Sequence, residues 1–276
     1  MKNLFSTLIL SLLALGCTQQ QPESLRLATF NIRYDNSGDG PNSWPHRKDS
    51  ICAFIHRVDP DIIDMQEVLH HQLEVLKTGL PEYTVVGVGR EDGKTAGEYA
   101  PIFFKQAKYT LLNTFWLCEK PDSVGMVGWD AALTRIATWV KLQDKKTGQI
   151  LMVVNTHFDH IGTEARRNSA LLIIEKIKEI VGTSPAILTG DWDAYKTITN
   201  NEFILKDAHK VAGKRTGVDF TYHNFGKIPA EKCEKIDFIF VTPQIRVISS
   251  YIPFSQLNDT LFLSDHNPEI VELEIK

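Results

Sequence analysis

Between residues 25 and 276 two hydrophobic periods alternate, and that alternation restricts the chain to an α/β architecture. β-like runs occupy 25–30, 61–66, 83–88, 101–105, 109–118, 135–142, 150–155 and 186–189, with three more at 235–241, 246–251 and 269–275. Helical spacing appears at 43–58, where Ile51, Phe54, Ile55 and Val58 share a face, and again at 68–80. It is clearest at 163–181, through Ala170, Leu171, Ile174, Ile177 and Ile180. Asp144-Lys145-Lys146-Thr147-Gly148 is a turn that joins two runs into a hairpin. Hairpins mixed with strand–helix–strand units predict mixed sheets with helices outside, not a uniform parallel wind. No repeat or linker divides 25–276, so it reads as a single domain. Loops 90–98 and 119–134 are polar and long enough to suggest function.

The first residues follow another logic. Lys2 precedes an apolar run over 4–15. That run falls short of the roughly 20 residues a helix needs to cross a bilayer, so 1–16 reads as a secretory signal peptide. It ends in Ala14-Leu15-Gly16-Cys17, which resembles a bacterial lipobox. Residues 17–24 then form a polar tether, lipidated at Cys17. The expected location is the bacterial cell envelope, periplasmic or at the cell surface, with membrane contact only through that lipid. Cys52, Cys118 and Cys233 match no CxxC metal spacing, and Cys52 and Cys118 read as core residues.

Net charge is −4, which withholds the broad positive field that draws proteins to nucleic acid. Acidic and amide residues instead collect just past the ends of apolar strands. Asn31 follows Phe30, Glu67 follows the run to Gln66, and Asn155-Thr156-His157 follows Val154. Asp191 follows Gly190, and Asp265-His266 follows Ser264. Strand ends at one sheet edge form the usual ligand crevice of α/β proteins. Such a carboxylate cluster is costly without a cation, and oxygen donors favour Mg²⁺ or Mn²⁺, with Ca²⁺ as a further candidate. Each residue taken alone is equally explained as a helix cap, a turn or a core side chain.

The order of the motifs goes further. Thr29-Phe30-Asn31-Ile32-Arg33, Asp61-Ile62-Ile63-Asp64-Met65-Gln66-Glu67-Val68, Asn155-Thr156-His157, Gly190-Asp191, Lys235-Ile236-Asp237-Phe238-Ile239 and Ser264-Asp265-His266 occur in sequence. Together they resemble the endonuclease/exonuclease/phosphatase superfamily. The resemblance implies a four-layer, deoxyribonuclease I-like sandwich of two mixed β-sheets flanked by helices, with 25–276 as one catalytic domain. It implies Glu67 as main divalent-metal ligand with Asn31 beside it, and Asp265 supporting the metal network. Asp191 would activate the attacking water, His266 and His157 would contact the phosphoryl group, and Asp237 would orient His266. Gly89-Arg90-Glu91-Asp92-Gly93-Lys94 and Gly128-Trp129-Asp130-Ala131-Ala132-Leu133 further resemble a group of secreted bacterial members.

One position departs from that pattern. The family has Gly-Asp-x-Asn where this chain has Gly190-Asp191-Trp192-Asp193. An ionised Asp193 cannot donate a hydrogen bond, and two like charges about 4 Å apart cost roughly 4 kcal/mol at an effective dielectric of 20. Asp193 is therefore expected to take an additional cation, to stay protonated, or to weaken hydrolysis, the first being favoured. Trp44, Arg47, Trp129 and Arg135 are candidate substrate contacts, since aromatic and guanidinium faces suit a sugar or base beside a phosphate. The expected activity is metal-dependent hydrolysis of a small phosphorylated compound by a monomer. A non-catalytic binding lipoprotein is the alternative. A nuclease is the third reading, nucleic acid being the less favoured substrate.

Overall fold

The computed structural model describes residues 24–119, 124–182, 184–191, 195–199 and 205–276. The signal peptide and most of the tether, with the lipobox and Cys17, lie outside the described residues, as does Asp193. In chain order the first half comprises β1 (Ser24–Asn31), α1 (Trp44–Val58), β2 (Ile62–Gln66), α2 (His70–Gly79), β3 (Tyr83–Val86), β4 (Ile102–Lys105), β5 (Tyr109–Cys118) and β6 (Ile136–Asp144). The second half comprises β7 (Ile150–His157), α3 (Thr163–Val181), β8 (Ala186–Asp191), α4 (Tyr195–Thr199), β9 (Lys206–Asp207), α5 (Ala208–Val211), β10 (Lys214–Gly217), β11 (Asp237–Val241), β12 (Ile245–Ile252) and β13 (Glu269–Ile275).

Two mixed sheets result, in the orders β10-β12-β13-β1-β2-β4-β3 and β5-β6-β7-β8-β11-β9. Each has a parallel pair built by a helical crossover, β1 with β2 through α1 and β7 with β8 through α3, and in the first sheet β10 also runs parallel to β12. Antiparallel hairpins extend both sheets outward. α1 begins at Trp44-Pro45, where the missing proline N–H is harmless, and stops at Asp59, which adopts φ 50. Its buried Ile51, Phe54 and Ile55 cover the outer face of the first sheet with Phe30, Met65 and Leu76. α3 covers the second sheet through Ala170, Ile173, Ile174 and Ile177 against Val154, Leu188 and Phe240. Between the sheets lies a third apolar cluster that includes Leu27, Ile62, Val153, Ile187, Ile239 and Val271. The layers therefore run helix, sheet, sheet, helix, as in the deoxyribonuclease I-like sandwich.

The inter-sheet face changes character along its strands. Two residues beyond Leu27, Ile62, Val153 and Ile187, the same faces carry Thr29, Asp64, Asn155 and Thr189, all fully buried. Gln66 Nε2 donates to Asn155 Oδ1 at 2.7 Å and Thr29 Oγ1 at 3.0 Å. Asn155 Nδ2 donates to the carbonyls of Met65 and Pro101, and Thr189 Oγ1 to Asp64 Oδ2 at 2.7 Å. This network crosses from one sheet to the other. It fixes the register of the strands just below their polar ends.

Asp64 is the titratable member of that layer, and burial pushes its carboxyl up to about 8 against the Thr189 hydrogen bond. Between the ordinary aspartate value near 4 and about 8, the folded chain keeps a proton that the unfolded chain releases. Stability is therefore lost as pH rises through that window, by about 1.4 kcal/mol per unit at most. Asp64→Asn removes this slope. Thermal melts should show the variant gaining on the wild type between pH 5 and pH 8, and a constant difference would contradict the assignment.

Candidate active site

The polar strand ends meet at one end of the sandwich. Asp191 pairs with His157 on β7 and with Asp237 on β11, so three of the expected residues stand side by side in register. His266 joins them through its Nδ1, 2.8 Å from Asp237 Oδ2. A carboxylate only accepts, so Nδ1 carries a proton. Burial pushes Asp237 up, but the charge and hydrogen bond of His266 outweigh it and hold the carboxyl below the usual range.

The opposite wall comes from the first sheet. Glu67 follows β2 in a left-handed conformation, φ 60. Its Oε1 accepts from Asn31 Nδ2 at 3.0 Å and its Oε2 from the Tyr34 backbone N–H at 3.2 Å. Asn31 Oδ1 in turn accepts the Arg33 N–H. In this arrangement Asn31 orients the Glu67 carboxylate and keeps one oxygen lone pair. Asp265 is linked to the same wall by Ser264, whose hydroxyl lies 2.7 Å from the Asn31 carbonyl and 3.2 Å from Asp265 Oδ1. Burial pushes Asp265 above the usual carboxylate range. His266 pulls it back, Glu67 adds to the rise as a like charge, and Arg33 opposes it.

The loop expected over 90–98 closes on itself. Gly89 donates to the Lys94 carbonyl, Arg90 to Glu98 and Glu91 to Ala96. The Arg90 guanidinium grips Glu98 with two bonds of 2.8 and 2.9 Å. Glu98 Oε2 lies 3.6 Å from His157 Nδ1. Burial raises Glu98, but His157, Arg90 and Arg135 together hold it down at about 2. Neither Arg90 nor Glu98 stands out in the sequence as a site residue, because their pairing requires the loop to double back. Arg33 was legible only as part of a motif, without a role.

Three of the four expected substrate contacts are corrected by burial. Arg47 is 0% exposed and donates to the backbone carbonyls of Ile32, Arg33, Asn42 and Leu263. Trp44 beside it is 3% exposed, packed in the core against the first sheet. Arg135 is 4% exposed, with Nε 3.4 Å from Asp159 Oδ2 and Nη2 3.0 Å from His160 Nδ1. Asp159 also accepts four backbone N–H groups, from Ala132, Leu133, Ile161 and Gly162. These guanidiniums answer buried acceptors of the chain itself. Trp129 is the exception at 43% exposed, on a loop that Asp130 ties to the start of α3 by accepting the Glu164 and Ala165 N–H groups.

With this geometry in place, comparison with known proteins is decisive. The sequence profile of the endonuclease/exonuclease/phosphatase family matches residues 28–266. The chain belongs to the endonuclease/exonuclease/phosphatase family. It is similar to the crystal structure of the endonuclease/exonuclease/phosphatase from Bacteroides vulgatus, with 61% identity and a TM-score of 0.88 over 92% of this chain and 100% of that one. A mannosyl-6-phosphatase from Bacteroides thetaiotaomicron is 35% identical with a TM-score of 0.83, covering 90% of this chain and 99% of its own. The uncharacterized protein L388 of Acanthamoeba polyphaga mimivirus is 28% identical over 84% of this chain and 92% of its own.

Endonuclease/exonuclease/phosphatase enzymes are generally hydrolytic phosphoesterases or nucleases, and generally use divalent metals. The residues here fit a hard cation. Glu67 and Asp265 supply oxygen donors, and Glu67 Oε1 takes one protein hydrogen bond. Among the described residues no three His, Cys, Asp or Glu side chains converge on one point. A small ion there would keep water or substrate oxygens in its shell, as Mg²⁺ ordinarily does.

Proposed function

We propose that this chain is a metal-dependent phosphoesterase acting on a small phosphorylated compound, with sugar phosphates the first class to test. The reading rests above all on the strand-end register of His157, Asp191 and Asp237, with His266 bonded to Asp237. No such arrangement is needed for folding, and it faces a second wall of carboxylates. A sugar phosphate is favoured by the relative named as a mannosyl-6-phosphatase. It is favoured also by Glu98, an ionised carboxylate beside His157 that suits sugar hydroxyls and repels a second phosphate.

Glu67 and Asp265 would hold Mg²⁺ or Mn²⁺, which when bound would draw charge from the phosphoryl oxygens and steady the leaving oxygen. Asp191 would orient and deprotonate the attacking water. His266, as an imidazolium set by Asp237, and His157, set beside Glu98, would donate to the phosphoryl oxygens where charge develops. Proposed with this activity are export to the bacterial cell envelope, a lipid at Cys17 and a monomeric state. β1 enters the sheet at Ser24 and reaches the site only at Asn31, about 23 Å further on at the usual rise per residue. A chain tethered upstream of Ser24 would present the site away from its anchor, which favours a dissolved substrate.

Hydrolysis of p-nitrophenyl phosphate, bis-p-nitrophenyl phosphate and mannose 6-phosphate should be compared with Mg²⁺, Mn²⁺ and EDTA. Turnover of the monoesters that EDTA abolishes is the expected result. Activity untouched by chelation would reject the mechanism, and cleavage of the diester alone would reject the substrate class.

A further inference from the structure

The loops after β1 and β2 each carry a residue in a conformation its side chain disfavours. Arg33 adopts φ 61 and Glu67 φ 60. The Arg33 backbone is locked on both sides. Its N–H donates to Asn31 Oδ1, and its carbonyl accepts from Gln72 Nε2 at 3.1 Å and Arg47 Nη2 at 3.3 Å. Strain of this sort persists only where the surroundings over-determine it, and it gathers at working sites. Its consequence here is that the two side chains meet.

The guanidinium is equally fixed. Its Nε and Nη2 donate to Asp39 at 3.0 and 3.2 Å, and its Cζ lies 4.4 Å from the centre of the Tyr34 ring. That grip leaves Nη1 3.8 Å from Glu67 Oε2 and Nε 3.8 Å from Asp265 Oδ2. One permanent positive charge thus spans the two carboxylates assigned to the metal. We propose that Arg33 is a built-in cation that takes the place of a second metal ion between Glu67 and Asp265, so that this pair accepts one divalent ion. The proposal deepens the metal-dependent reading and rests on it.

The geometry supports it from both sides. An ion bridging both carboxylates would need oxygens at about 2.0–2.2 Å. The oxygens facing the gap already face a guanidinium that cannot withdraw without breaking its fork on Asp39. Glu67 Oε1, turned toward Asn31, and Asp265 Oδ1, beside Ser264, are the oxygens that remain for an ion. A guanidinium keeps its charge at any working pH. Arg33 therefore also screens Glu67 from Asp265 when no metal is bound.

Mn²⁺ titrations of the full chain, followed by the electron paramagnetic resonance of the free ion, test this directly. Arg33→Met should bind one more ion than the wild type, whereas Arg33→Lys should bind the same number. In EDTA, Arg33→Met should melt below Arg33→Lys and recover a larger share of its Tm on adding Mn²⁺. Arg33→Gln serves as the neutral variant if Arg33→Met does not fold. Equal stoichiometry in the wild type and the neutral variant would overturn the role of Arg33 and leave the phosphoesterase reading standing. Absence of Mn²⁺ binding in both would overturn the two together.

Discussion

His266→Ala should lower kcat on the best monoester by roughly 10²–10³, the usual cost of losing one preorganised donor to a developing anion. The geometry says why so much depends on one ring. Asp237 sits at the start of β11, buried, and holds His266 Nδ1 at 2.8 Å. The ring is thereby fixed beside Asp237, the strand partner of Asp191. Asp237→Asn should fall in the same direction, because the imidazolium that donates to the phosphoryl group would lose its counter-charge. Mn²⁺ affinity should be unchanged in both variants, since neither residue is assigned to the cation. Steady-state kinetics beside a metal titration would separate the two effects. A His266→Ala enzyme with near-normal kcat would remove His266 from the chemistry.

The largest effect on stability is expected at Arg47. Burial pulls this guanidinium down to about 10, still charged at neutral pH, and its donors reach four backbone carbonyls from three separate segments. Arg47→Met would fill a similar volume but take this donor from the carbonyls of Ile32, Asn42 and Leu263, while that of Arg33 keeps Gln72. Each buried orphan costs about 1–3 kcal/mol, so a total loss of at least about 4 kcal/mol is reasonable after partial relaxation. Urea denaturation measures it directly. Activity should fall as well, because the Ile32 and Arg33 carbonyls belong to the loop beside Glu67 and that of Leu263 precedes Asp265. A variant within about 1 kcal/mol of wild type would mean that water replaces the guanidinium.

The sequence made the alternation of elements plain, and the structure keeps every long strand and helix expected from periodicity. It cut several strands short, however. The expected runs 150–155 and 186–189 continue to His157 and Asp191, and the short run at 25–30 continues to Asn31. Hydropathy falls where the polar layer begins, but the backbone ladder needs only a neighbouring strand, and each neighbour turns polar at the same level. Residues 195–217 hold α4, β9, α5 and β10, each too short to show a period. Family order located Glu67, Asp237 and His266, which sit where strand ends must converge. Burial was not legible for Trp44, Arg47 and Arg135. A guanidinium reads alike in sequence whether it meets a substrate or four of the chain's own carbonyls.

The graded interior sets terms for anyone engineering this scaffold. Thr29, Asp64, Gln66, Asn155 and Thr189 continue an apolar column, and aliphatic replacements there would lengthen the core but take from the Met65 and Pro101 carbonyls the donor that Asn155 supplies. The same replacements would erase the cross-sheet bonds that hold the polar strand ends in step. Thermostability is better sought at the opposite pole, where the column is already greasy and nothing reacts.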